Sequence, residues 1–272
     1  MSEARLPLIL EPDELERHLG EDDLLVIDLS KDETYQRMHI PGAVHLEYSS
    51  IVHAEPPRLG LLPDDERLRE VLSSAGIGPN THVVAYDDEG GGRAGRLLWT
   101  LEVAGHTRFS LLNGGLHAWA NEGHSLSDAP VRPSAAEFTV RHTDEPVADR
   151  AYVLEHLYDS GVVVLDARSP QEFQGVDVRA QRGGHIPNAV NVDWTNAMDP
   201  NRNMRLKSEA DLRALYESRG ITPDKTVVTH CQTHHRSAHT YIVLKALGYS
   251  KVKGYPGSWS DWGNVTDVPV EP

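Results

Sequence analysis

The feature that most constrains this chain is that its two halves repeat. Leu68, Gly76, Ile77, Pro79 and Val84 are each answered 144 residues later, by Leu212, Gly220, Ile221, Pro223 and Val228. LLVIDLS, from Leu24, returns as VVVLDARS, from Val162, which sets Asp28 opposite Asp166. HIPGAV at His39 returns as HIPNAV at His185. Later, Gly105 pairs with Gly248, Gly114 with Gly257 and Trp119 with Trp262. The spacing lengthens by eight between the Asp pair and the His pair, then drifts back, so an insertion falls in the second half around QGVDVRAQRGG. Solenoid repeats have periods of about 20–50 residues, so this is instead the duplication of a whole domain. A chain of 272 residues accommodates two such domains. The expected division is residues 1–124, a linker over 125–148 that carries three prolines and little apolar periodicity, and residues 149–272.

Each half has the same rhythm. VVVLDARS is a short β-branched run, consistent with a buried strand. In SEADLRALYESRG, Leu212, Leu215 and Tyr216 keep the spacing of an amphipathic helix, and Gly220 is its stop signal. KTVVTH reads as a second strand, SAHTYIVLKALG as a helix and KVKGY as another strand. Strands alternating with helices predict an α/β fold, each domain a parallel sheet flanked by helices on both faces.

Charge and composition exclude several function classes. The formal net charge of −15 argues against a nucleic-acid partner, although a local basic site can still hold a small anion. No apolar run reaches the roughly 18 residues of a membrane span, so no membrane association is expected. The first residues, MSEARLPLILEPDELE, lack the apolar core of a signal peptide. A single cysteine allows no intrachain disulfide and suits a reducing compartment. A cytoplasmic monomer is expected.

That cysteine, Cys231, lies in HCQTHHRS, between the strand KTVVTH and a helix starting near Ser237. Ligands of open α/β sheets bind at the carboxyl ends of strands, beside helix N-termini. Unpartnered N–H groups and the helix dipole favour anions there, and they lower the pKa of a thiol, as does a nearby Arg or protonated His. Four readings are open. Cys231 could be a buried structural residue, a metal ligand with His235 and His239, a phosphatase nucleophile, or a sulfur carrier. The metal reading lacks a second Cys or a carboxylate at ligand spacing.

The combination of DARS and HIP, a strand ending in the Cys, and a terminal GSWSDW segment resembles the rhodanese family of sulfurtransferases over nearly the whole chain. HCQTHHRS in particular resembles the loop of bacterial tandem-domain members. The resemblance implies two rhodanese-like domains, with Cys231 as the catalytic nucleophile that carries sulfur as a persulfide from thiosulfate to cyanide or another thiophile. Arg236 is the first candidate to hold the donor's oxyanion, because guanidinium suits oxyanions; its alternative is to close the loop on backbone carbonyls. Arg168, in DARS, matches the family's second anion-binding arginine, its alternative being a salt bridge to Glu172. Gln232, Thr233, His234 and His235 complete the substrate-binding candidates, the two histidines either adding positive charge or standing merely exposed. His230, His185 and His39 are expected to be structural and Asp166 to brace the loop; Trp194 and Trp262 are candidate cleft-lining residues. No metal and no cofactor are expected. Cysteine phosphatases that share this fold place five residues between Cys and Arg, and here there are four. The tighter ring suits a persulfide sulfur better than a tetrahedral phosphate.

This loop lacks the Arg-Lys that follows the Cys in mammalian thiosulfate enzymes and the Gly-Ser/Thr-Gly of mercaptopyruvate enzymes. 3-Mercaptopyruvate is therefore the alternative donor, and sulfur delivery to a partner protein the alternative role. In the first half Asp87 stands at the Cys position, in DDEGGGR, so that domain is expected to be catalytically silent. Its three glycines lack the Lys of a phosphate-binding loop.

Overall fold

A computed structural model describes residues 6–272 and contains two compact units. The first takes in the chain up to Ile51, together with Pro63–Thr143 and Met198–Leu206; the second is Val52–Leu62, Asp144–Ala197 and Lys207–Pro272. These compact units depart from a division by sequence halves in two exchanges. The antiparallel hairpin of His53–Glu55 and Arg58–Leu61 belongs to the second unit, and the hairpin of Met198–Asp199 and Arg205–Leu206 to the first. Such short strands carry no periodicity by which sequence could assign them. The 125–148 stretch also divides. Ala136 and Phe138 donate to Ser73, and Phe138 is buried in the first unit. Ala148 and Pro146 bond Gly254 in the second.

The first unit holds a five-stranded parallel sheet, ordered Ile9–Leu10, Phe109–Leu112, His82–Tyr86, Leu24–Asp28, Val44–His45. The second holds a four-stranded parallel sheet, ordered Val252–Gly254, Thr226–His230, Val162–Asp166, Val190–Asn191. Successive side chains along a strand point to opposite faces. In the second unit Val164 and Val228 join a core with Val153, Leu157, Trp259 and Trp262. The alternate residues Val163, Leu165 and Val227 are buried too, on the face against which helix Arg236–Ala246 packs. Both faces are therefore covered, which is why these strands read as unbroken apolar runs. The first unit repeats the plan, with Val26, Val84 and Leu112 on Leu15, Leu116 and Trp119, and Ile27, Val83, Ala85 and Leu111 buried opposite.

The repeated HIP motif has one job in both units. His39 stacks on Tyr35 at 4.0 Å and bonds its carbonyl through Nδ1; His185 stacks on Phe173 at 3.7 Å and does likewise. Both are structural. The stacking partner is four residues back in one unit and twelve in the other, so the eight-residue insertion lies between Phe173 and His185. Trp262 is also structural: it is fully buried, with its indole N–H on the Pro269 carbonyl.

Candidate active site

Cys231 follows the strand Thr226–His230, and helix Arg236–Ala246 begins five residues later. The β-branched strand sets the thiol at the carboxyl edge of the sheet, and the loop folds back so that its amides surround the sulfur. His234 turns this corner in the left-handed region, at φ 51°. The thiol is 1% exposed. Burial opposes its ionisation, but the Arg236 charge, the Ser237 hydroxyl and the N–H groups of Ser237 and Thr233 outweigh burial and bring it down to about 7. Opposite charge and hydrogen bonds to the ionised form are the forces that favour a thiolate.

Ser237 also bonds Nδ1 of His234, at 2.8 Å. With the Ser237 hydroxyl spent on the sulfur, that imidazole nitrogen is the donor, which gives a chain from His234 through Ser237 to the thiolate. His234 is fully buried, so the expectation that it stands exposed does not hold. His235, at the helix start, is half-buried beside Trp194, with ring centres 6.3 Å apart, and His239 meets the same indole edge-on at 5.5 Å. Trp194 is the aromatic residue beside the loop. Among the described residues no cluster of three His, Cys, Asp or Glu side chains is placed to hold a metal ion.

Arg236 makes a two-pronged ion pair with Glu172, Nη1 to Oε2 at 2.6 Å and Nη2 to Oε1 at 2.8 Å. Burial alone would raise the Glu172 pKa; the hydrogen bonds and charge of Arg236 instead hold it at about 2. Glu172 in turn sits in a capping box with Ser169, at the start of helix Pro170–Phe173. The closing partner of Arg236 is therefore this carboxylate rather than the backbone carbonyls. Its side chain is 18% exposed, and its fixed charge acts on the sulfur.

Arg168 pairs with a different carboxylate from the one expected. It does not pair with Glu172. Its Nε and Nη2 bond Asp166, its Nη2 also reaches the Gly184 carbonyl at 2.9 Å, and its plane lies over Trp259 at 4.4 Å. With 1% of its surface exposed it braces the strand ends instead of facing a solute. Asp166 accepts the Arg168 backbone N–H as well, and Asp28 accepts that of Ser30 in the first unit, so the repeated Asp has a turn-bracing role. His230 lies 3.5 Å from Asp166; its burial pushes the imidazole down to about 4, which leaves it neutral at pH 7.

Sequence reasoning missed Ser258. This residue sits at φ 50°, fully buried; its hydroxyl donates to the Tyr255 carbonyl at 2.7 Å and accepts from the N–H groups of Cys231 at 3.3 Å and His234 at 3.0 Å. Two of the loop's amides are thereby satisfied. Trp259 and Ser260 donate their N–H groups to the carbonyls of Cys231 and Gln232, both at 3.0 Å. Gln232, Thr233, His235 and Arg236 form the half-buried rim, and Gln232 Nε2 bonds the Arg179 carbonyl.

In the first unit Asp87 fills the corresponding ring itself. Its Oδ1 accepts from the N–H groups of Glu89, Gly90 and Gly91, and its Oδ2 from Ala94. The amides that would cradle an added anion are occupied by a side chain.

The family model of the rhodanese-like domain matches residues 11–122 and 149–264. The chain is 47% identical to the thiosulfate sulfurtransferase of Azotobacter vinelandii over 98% of both chains. It is 46% identical to the thiosulfate sulfurtransferase of Pseudomonas aeruginosa, over 98% of this chain and 97% of the other. Among solved structures, the 3-mercaptopyruvate sulfotransferase SseA of Escherichia coli has 26% identity and a TM-score of 0.82, and the match covers 93% of this chain and 99% of that one.

Proposed function

The chain belongs to the rhodanese-like domain family, and from that membership and the setting of its one thiol we propose that it is a thiosulfate sulfurtransferase. The observation that carries this reading is a buried Cys231 thiol brought to about 7 by Arg236, Ser237 and Thr233. The Cys231 thiolate attacks the outer sulfur of thiosulfate. The S–S bond of the donor breaks, sulfite leaves with the bonding pair, and Cys231 holds a persulfide. Cyanide or another thiophile then attacks the terminal sulfur; the persulfide bond breaks, thiocyanate forms and the thiolate is regenerated. This is covalent catalysis in two half-reactions and requires ping-pong kinetics.

The amides of Thr233 and Ser237 and the Ser237 hydroxyl stabilise the negative sulfur, and Arg236 draws the donor's oxyanion to the rim that Gln232, Thr233 and His235 form. Arg168 and His234 act from behind, holding the loop's shape. The natural acceptor is a small thiophile or the thiol of a partner protein, and the single cysteine suits the cytoplasm.

Intact mass after treatment with thiosulfate tests the proposal. Wild type gains one sulfur atom and Cys231→Ala gains none; an unmodified wild type sinks the reading. Continuous thiocyanate release separates an enzyme from a carrier that loads once. The ratio of kcat/KM for thiosulfate to that for 3-mercaptopyruvate decides between the two donors.

A further inference from the structure

The hairpin of His53–Glu55 and Arg58–Leu61, although it comes from the first half of the sequence, is part of the second unit. Two contacts join it to the Cys231 loop. Gly60 lies at φ 74°, and a Cβ built there would sit 2.2 Å from the Thr233 carbonyl oxygen and 2.8 Å from its carbonyl carbon and Cβ. Distances under 3.0 Å force something to move, and here the obstacle is backbone. Ser260 is the second link. Its hydroxyl accepts from Leu59 N–H at 2.9 Å and lies within donating reach of the Leu59 and Gly257 carbonyls, while its own N–H donates to Gln232. The hairpin is thus tied through one buried serine to the loop it presses on.

Thr233 is where this pressure matters. Its N–H is one of the donors to the Cys231 sulfur, and its carbonyl belongs to the peptide that carries the His234 N–H to Ser258 at 3.0 Å. A displacement of that peptide drags Thr233, whose own N–H in the preceding peptide faces the sulfur, and loosens the left-handed corner at His234 together. The first unit offers a contrast. At Gly90, a Cβ would meet the end of the Met198 side chain, 2.7 Å from Sδ, and a methionine can swing aside.

We propose that this hairpin is a positioning element for sulfur transfer, with Gly60 and Ser260 as positioning residues that hold the backbone of Gln232 to His234 in the shape that aims the Thr233 N–H at the Cys231 sulfur. The inference rests on Cys231 being the sulfur-carrying thiol.

The test is the pH dependence of Cys231 alkylation by iodoacetamide, which needs no sulfur donor, read beside sulfur uptake from thiosulfate. In Gly60→Ala the alkylation midpoint is expected to rise by about one pH unit, as fewer donors face the thiolate. Gly20→Ala is the control for backbone strain alone, since Gly20 has a similar φ of 87° and nothing within 4 Å of its Cβ position; its midpoint stays at the wild-type value. If Gly60→Ala folds, as judged by circular dichroism, it decides the matter: an unchanged midpoint overturns the proposal. If it does not fold, Ser260→Ala, which removes the tie without a clash, decides in its place by the same criterion. A wild type that alkylates normally but takes up no sulfur would refute the sulfurtransferase reading instead.

Discussion

Cys231 combines two properties that ordinarily oppose each other, burial and a lowered pKa, because the charge of Arg236 and three hydrogen-bond donors meet at its sulfur. The donor half-reaction should therefore rise with pH to a plateau above about 7, falling tenfold per unit well below it, as a single-turnover pH profile would show. Arg236 owes its orientation to Glu172. Glu172→Gln should lower kcat/KM for thiosulfate roughly ten- to a hundredfold by freeing the guanidinium, in steady-state kinetics on a folded protein. The same carboxylate bears on stability. Its folded pKa of about 2 lies below the ordinary 4.5, so its contribution is complete above about 4.5 and fades as the pH falls toward 2. Urea midpoints at pH 6 and pH 3 should accordingly differ less in Glu172→Gln than in wild type. Cys231 and Arg236 were legible from the strand-to-helix placement and their spacing. The partner of Arg236 was not, because it lies 64 residues away and pairs across the fold; proximity in sequence favoured Arg168, which Asp166 had already claimed.

The elements that present the thiol read clearly in the sequence. The β-branched run Thr226–His230 and the helix Arg236–Ala246 stand where apolar pattern and loop placed them. The short helix Ser258–Trp262 is a different case. Its Trp262 was expected to line the cleft and is instead core, and nothing in GSWSDW tells that the first serine holds the back of the loop. Two buried amides depend on that hydroxyl, and Ser258→Ala leaves both without an acceptor. The expected cost is about 1–3 kcal/mol, measured by urea unfolding. Backbone conformation is hidden in the same way: Ser258 and His234, neither of them glycine, both hold a left-handed φ, and the His234 N–H donates to the Ser258 hydroxyl.

At the scale of the molecule, duplication, the α/β class and the insertion before His185 follow from aligned spacings. The hairpins do not, since each joins the unit whose sheet comes from the other half of the chain. A fragment of residues 149–272 lacks 52–62 and so lacks Gly60. It should take up thiosulfate sulfur at least tenfold more slowly than the whole chain, or fail to fold, as intact mass and circular dichroism would report. The first unit's loop carries a further consequence. Asp87 supplies its own anion to four backbone amides, so that ring has no vacancy for a solute. Sulfur capacity should then be one atom per chain, read as one equivalent of sulfite in the pre-steady-state burst.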